Sequence, residues 1–169
     1  MTVYPNAKLD LLPDDHSAPG TAEQRNLIVL HCTAGPTASS AINTFRASVA
    51  PNRVSAHFVI DTDGTVFQLV DVERTAWHAS EVNSRSVGIE HAAIPETQPA
   101  TEAEYQASAA LVAWLCGVLK IPCDASHIQP HSVASPRDGH LLCCQGAVDP
   151  ERIITASAAI MQGGQASAG

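Results

Sequence analysis

The stretch LIVLHCTAG, residues 27–35, decides how the rest of the chain is read. Four apolar residues, Leu27 to Leu30, run without alternation, as in a strand of a sheet covered on both faces. The run ends on His31, and Cys32, Thr33 and a small-residue turn follow. A histidine that closes a buried strand is either a core side chain with a satisfied hydrogen bond or one ligand of a metal. His31 alone does not separate the two readings; its partners elsewhere in the chain do.

Working outward, residues 1–25 are polar and carry several prolines, so they read as an N-terminal arm. After the strand at 27–32, PTASSAINTFRASV predicts a helix capped by Ser39 or Ser40, with Ala41, Ile42, Phe45 and Val49 on one face. VSAHFVIDTDGTVFQLV predicts a hairpin: Phe58 and Ile60 alternate with His57 and Val59, TDG turns, and Val66, Gln68 and Val70 resume the alternation. SVGIEHA reads as another short strand. Thr101 and Glu104 form a capping box that opens a helix to about Leu119. HIQPH is a short extended segment before a loop, and Asp149-Pro150 starts a last helix as N-cap and first turn. The end, QGGQASAG, reads as a flexible tail over 162–169. The expected architecture is α/β: a single domain over 26–161 with a central mixed β-sheet flanked by helices.

The 169 residues suffice for one domain with a real core. Hydrophobic residues at 45% and charged residues at 15% fit a globular chain. A formal charge of −8 argues against nucleic-acid binding. No apolar run approaches the roughly 18 residues of a membrane span, and MTVYPNAKLD lacks the basic start and apolar segment of a secretory signal. Synthesis in the cytoplasm is expected. Five scattered cysteines, Cys32, Cys116, Cys123, Cys143 and Cys144, do not read as a disulfide framework.

Eight histidines are many for this length. Singly, each reads as structural. His31 and His131 both fall at ends of extended segments, where a sheet presents side chains to a cleft, and a thiol pair follows His131 in the loop. Two histidines with one Cys or Asp make a catalytic zinc site with an open fourth position.

LIVLHCTAG, VSAHFVIDTDGTVFQLV, TAWHA and RSVGIEH, in this order, resemble the zinc-dependent N-acetylmuramoyl-L-alanine amidases, the amidase and peptidoglycan recognition protein-like group. The resemblance implies zinc as cofactor, peptidoglycan or muropeptides as substrate, and hydrolysis of the amide between N-acetylmuramic acid and L-alanine, with action in the cytoplasm in wall recycling or on the wall after non-classical release. The alternative it carries is a non-catalytic recognition module. It implies His31 and His131 as zinc ligands, Glu90 as the carrier of the water proton, and Trp77 and His78 as a substrate-cleft segment. Ala56 and His57 stand where substrate-facing residues are expected. The third ligand is expected at Cys144, with Asp149 and Cys143 as alternatives. Leu142 stands where catalytic relatives carry a cation that stabilises the oxyanion, so His140 is expected to reach in, with Arg137 also close.

Overall fold

Residues 27–32 form a strand paired on both sides, as the unbroken apolar run implies. The computed structural model describes residues 1–166. In chain order the strands and helices are β1 (Lys8–Leu9), β2 (Ser17–Ala18), β3 (Leu27–Cys32), α1 (Ala38–Ala47), β4 (Phe58–Ile60), β5 (Val66–Gln68), β6 (Thr75–Ala76), β7 (Ser86–His91), α2 (Glu102–Leu119), β8 (Ile128–Pro130), α3 (His131–Ala134) and α4 (Pro150–Ala166). Six strands make one sheet in the order β1-β5-β4-β7-β3-β8, and β2 and β6 make a small antiparallel pair. Only the β4–β5 hairpin is antiparallel within the large sheet, so the sheet is mixed and otherwise parallel.

Strand alternation splits the core. Ile28, Leu30, Phe58, Ile60, Val87 and Ile89 pack on one face, against Leu111, Val112 and Leu115 of α2 and Ile153 of α4. On the other face Val59 meets Ala38, Ile42 and Phe45 of α1, while Leu27 and Val29 meet Val82 and Ala134. By the same period of two, His31 shares a face with Leu27 and Val29, and Glu90 shares one with Ser86 and Gly88. Both chemistry-bearing residues therefore emerge at the ends of β3 and β7, away from α2 and α4. A sheet of parallel strands presents its sites at such carboxyl ends.

Local signals fix the edges of the elements. Gly64 sits in the hairpin turn at φ +83°, and a Cβ there would lie 2.9 Å from the Ala103 carbonyl oxygen. Thr101 and Glu104 form the expected capping box at α2. The cap of α1 is Thr37, whose hydroxyl accepts from the Ser40 N–H, and not Ser39 or Ser40. Val49 lies beyond the end of that helix and is 69% exposed. Pro130 is tolerated because β8 is an edge strand.

The lead-in of residues 1–25 is tied to this body. The buried Gln68 amide accepts from the Tyr4 N–H and donates to the Thr2 carbonyl. Tyr4 packs on Trp114, with ring centroids 5.2 Å apart, and β1 adds an edge strand beside β5. At the other end α4 continues to Ala166, so the tail expected from 162 is helical that far. Residues 167–169 of that expected tail lie outside the described residues. No helix among the described residues is long and apolar enough to cross a membrane.

Candidate metal centre

The parallel pairing of β3 with β7 sets His31 opposite Glu90 in register. His31 is 2% exposed, and its Nδ1 lies 4.0 Å from the Glu90 Oε1. The other carboxylate oxygen, Oε2, is buried without a hydrogen-bond partner. Burial pushes the Glu90 carboxyl up to about 8, with a smaller push from Cys32. A buried carboxyl with an unpartnered oxygen costs free energy unless a cation or a proton donor meets it. Its neighbour His91 points to the opposite face and is a satisfied core residue, bonded to the His31 carbonyl and to the Ser108 hydroxyl, each at 2.9 Å.

His131 follows Pro130 at the end of β8 and opens α3. It is 4% exposed, and its ring centroid lies 4.5 Å from that of His31. The loop after α3 then returns Cys143, whose Sγ lies 4.0 Å from His31 Nδ1. His31, His131 and Cys143 each offer a donor atom, and all three atoms lie within 4.8 Å of one another.

Hydrogen bonds assign the faces of the two rings. The Ser86 hydroxyl donates to the Val82 carbonyl at 2.7 Å. Its oxygen therefore accepts from His78 Nε2–H, 3.2 Å away. His78 Nδ1 is then bare and accepts from His31 Nε2–H at 3.0 Å. That leaves the lone pair of His31 Nδ1 directed toward Cys143 and Glu90. Burial holds both imidazoles well below the usual histidine range, so they are neutral, as ligands must be. On the other side His131 Nε2 meets the Asp138 carboxylate at 2.6 Å. Burial works against the charged form of Asp138, but bonds from His131 and the His140 N–H outweigh it and hold its pKa below the usual value. A ligating histidine whose second nitrogen is held by such an acceptor has a fixed ring orientation.

Several expected positions are corrected. Cys144 does not join the two histidines: it is 2% exposed and its thiol donates to the Leu30 carbonyl at 3.1 Å. The reason is backbone direction, since Cys144 takes a left-handed φ of +68° that turns its side chain under β3. Asp149 is exposed and caps α4, accepting from the N–H groups of Glu151 and Arg152. Ala56 and His57 are wholly buried and do not face a substrate. His57 Nδ1 accepts from the Gly88 N–H, and its Nε2–H donates to the Arg74 carbonyl. His78 is partly exposed and its Nδ1 meets His31 Nε2 at 3.0 Å, so it supports the His31 ring. Trp77 is partly exposed beside it. His140 does arrive at the site, stacked on His131 at 5.0 Å between centroids. Arg137 points outward, its side chain 86% exposed near Glu81.

Sequence reasoning missed the roles of His78 and Asp138. Gly88 was the available signal for the first, since a Cβ there would lie 2.6 Å from the His78 ring. For Asp138 the only signal was an acidic residue in the loop after His131.

Fold and site together define a mixed α/β domain with a two-histidine, one-thiol group of the kind that holds a metal ion, next to a buried carboxyl. A sequence model of the N-acetylmuramoyl-L-alanine amidase family matches residues 21–152, and the chain belongs to that family. It is 30% identical over 140 residues to N-acetylmuramoyl-L-alanine amidase A of Achromobacter lyticus, covering 76% of this chain and 77% of the relative. It is 29% identical over 155 residues to the 1,6-anhydro-N-acetylmuramyl-L-alanine amidase AmpD of Salmonella typhimurium, covering 78% of each. Among solved structures, a selenomethionine derivative of AmpD superposes with a TM-score of 0.69 at 25% identity, over 91% of this chain and 96% of the other. The catalytic domain of XlyA gives 0.68 at 20% identity, over 90% and 99%, a likeness of fold.

Proposed function

We propose that this domain, centred on residues 26–161, hydrolyses the amide between N-acetylmuramic acid and L-alanine in peptidoglycan or muropeptides, with zinc as its metal. The observation that carries the reading is the convergence of His31, His131 and Cys143 within 4.8 Å beside Glu90. Two imidazoles and a thiol are a donor set that suits zinc and leaves a fourth position open. The orphaned Glu90 oxygen fits the same reading, because a cation beside it offsets the cost of its burial.

His31 through Nδ1, His131 and Cys143 would hold the ion. When bound, zinc supplies Lewis acidity, polarising a carbonyl oxygen and making water acidic near neutral pH. The remaining work falls to the chain. Glu90 accepts the proton of the attacking water and returns it to the leaving amine; a carboxyl raised toward neutral pH is suited to both transfers. His78 and Asp138 hold the rings of His31 and His131 in place. His140, stacked over His131 on the solvent side, is the donor that faces the developing oxyanion. Trp77, partly exposed next to His78, is the residue this reading offers to the substrate. Glu90 favours an enzyme over a recognition module, because simple binding leaves a buried, unpaired carboxyl without use.

The substrate class follows that of the relatives, whose names specify muramoyl-L-alanine amides. The test is mass spectrometry of muropeptides incubated with the protein, with a chelator, and with chelator followed by zinc. Free L-Ala-peptides are expected in the first and third samples and not in the second. Intact muropeptides in all three, with zinc bound, would move the reading to a recognition module.

A further inference from the structure

A second group of donors lies against the first. Cys32, Cys143 and Cys144 bring their sulfur atoms within 4.8 Å of one another. Cys143 Sγ and Cys144 Sγ are 3.9 Å apart, and the Cys144 N–H donates to Cys32 Sγ at 3.3 Å. Adjacent residues seldom aim their side chains at one point. Here the left-handed backbone of Cys144 brings its sulfur under the end of β3, beside those of Cys143 and Cys32. Three thiolates around one ion with bonds of about 2.3 Å place sulfurs roughly 4.0 Å apart in a trigonal plane. The Cys143–Cys144 separation already has that value. Access exists as well, since Cys32, His140 and Cys143 line a cleft of ≈ 530 Å³.

We propose that Cys32, Cys143 and Cys144 form a distinct site for a soft, thiophilic ion that takes three sulfurs. An all-sulfur donor set selects soft ions over zinc's mixed nitrogen and sulfur set. The two sites share Cys143, so the soft ion and the His31–His131–Cys143 group compete for one sulfur. Filling the thiol site therefore disables the amidase. Arsenite is the cleanest probe, because As(III) binds thiols and leaves imidazoles alone. As(OH)₃ reacts with three thiols; three As–O bonds break and three As–S bonds form. The protons of Cys32 and Cys144 leave with two hydroxides as water; where zinc holds Cys143 as a thiolate, the third hydroxide leaves with a proton from solvent as zinc is released, and arsenic stays in the +3 state.

The binding half of the proposal stands on the sulfur geometry alone, and only the inhibition half rests on the proposed function. The experiment treats the protein with sodium arsenite and reads the intact mass and zinc release, with amidase turnover in parallel. Wild type is expected to gain one arsenic less three hydrogens per chain, to release its zinc, and to lose turnover in step. Cys32→Ser should keep its zinc and turnover, and bind arsenite at least tenfold more weakly. Cys144→Ala should weaken arsenite binding likewise, which covers the case of a poorly folded Cys32 variant. Cys123→Ser, altering a thiol that is hydrogen-bonded to Cys116 apart from this group, should bind as wild type does. No adduct in wild type, an undiminished adduct in folded Cys32→Ser, or its loss in Cys123→Ser would each overturn the proposal. An adduct that leaves zinc and turnover untouched would overturn the shared sulfur.

Discussion

His31 and Glu90 stand opposite each other on paired strands, whereas Asp138, His140 and Cys143 hang on the loop between α3 and α4. The strand half is placed by ladder hydrogen bonds and by the period-two burial of Leu27, Val29 and their neighbours. A slip of one residue would bury His31 among the α2 side chains, so the register is strongly held. The loop half has no such ladder. It is shaped by three left-handed residues, Gly139, Cys144 and Gly146, and it exposes Leu141 and Leu142 at 58% and 70%. The comparison teaches a division of labour: the sheet fixes where the chemistry happens, and the loop completes the donor set and orients it.

The largest effect should come from the strand half. Glu90→Gln keeps the shape of the side chain and removes the base, so turnover should fall by a factor of about 10² to 10⁴. Zinc content, measured by elemental analysis on the same samples, should not change. Wild-type turnover in this variant would remove Glu90 from the mechanism and with it the special standing of the strands.

The loop half is probed next by Asp138→Asn. Loss of the charged acceptor behind His131 should weaken zinc affinity about 10- to 100-fold. Competition with a chromophoric chelator reads this, and saturating zinc should restore most of the turnover. Unchanged affinity would mean that the 2.6 Å contact does not orient His131 in the loaded protein.

Beneath the strands, burial depresses the pKa of His57 to about 4. The unfolded chain has the ordinary value near 6.5, so the native state binds fewer protons between those limits. The stability His57 contributes is complete above pH 6.5 and is lost as pH falls through about 4. Its ring-proton NMR signal should stay unshifted from pH 8 to pH 5; a midpoint near 6.5 would show an exposed ring. The smallest effect belongs to the far end of the loop. Asp149→Ala removes a helix cap, costing about 1 kcal/mol in urea unfolding, without reducing zinc content.

The same division explains what was legible in the sequence. The run LIVLH carried its own instruction: continuous apolar residues give a doubly covered strand, and the histidine at its end reaches a cleft. The hairpin around TDG and the Thr101–Glu104 box were equally local. Cys143 was not legible as the partner of the histidines, because which of two adjacent thiols faces inward depends on the φ of Cys144. A sequence of mixed residues does not announce a left-handed cysteine. His57 and Ala56 misled for another reason, since the resemblance places them by motif, and a motif does not say which segments cover it. His78 was visible as a motif, but its role depends on the space that Gly88 leaves for its ring and on His31, which strand pairing brings near.

X-ray absorption at the zinc edge tests the account of the centre most directly, applied to wild type, Cys143→Ser and Cys144→Ser. The geometry predicts one sulfur at about 2.3 Å with nitrogen at about 2.0–2.1 Å in wild type and in Cys144→Ser. The sulfur shell should vanish in Cys143→Ser alone. A sulfur shell that survives in Cys143→Ser, or disappears in Cys144→Ser, would contradict it.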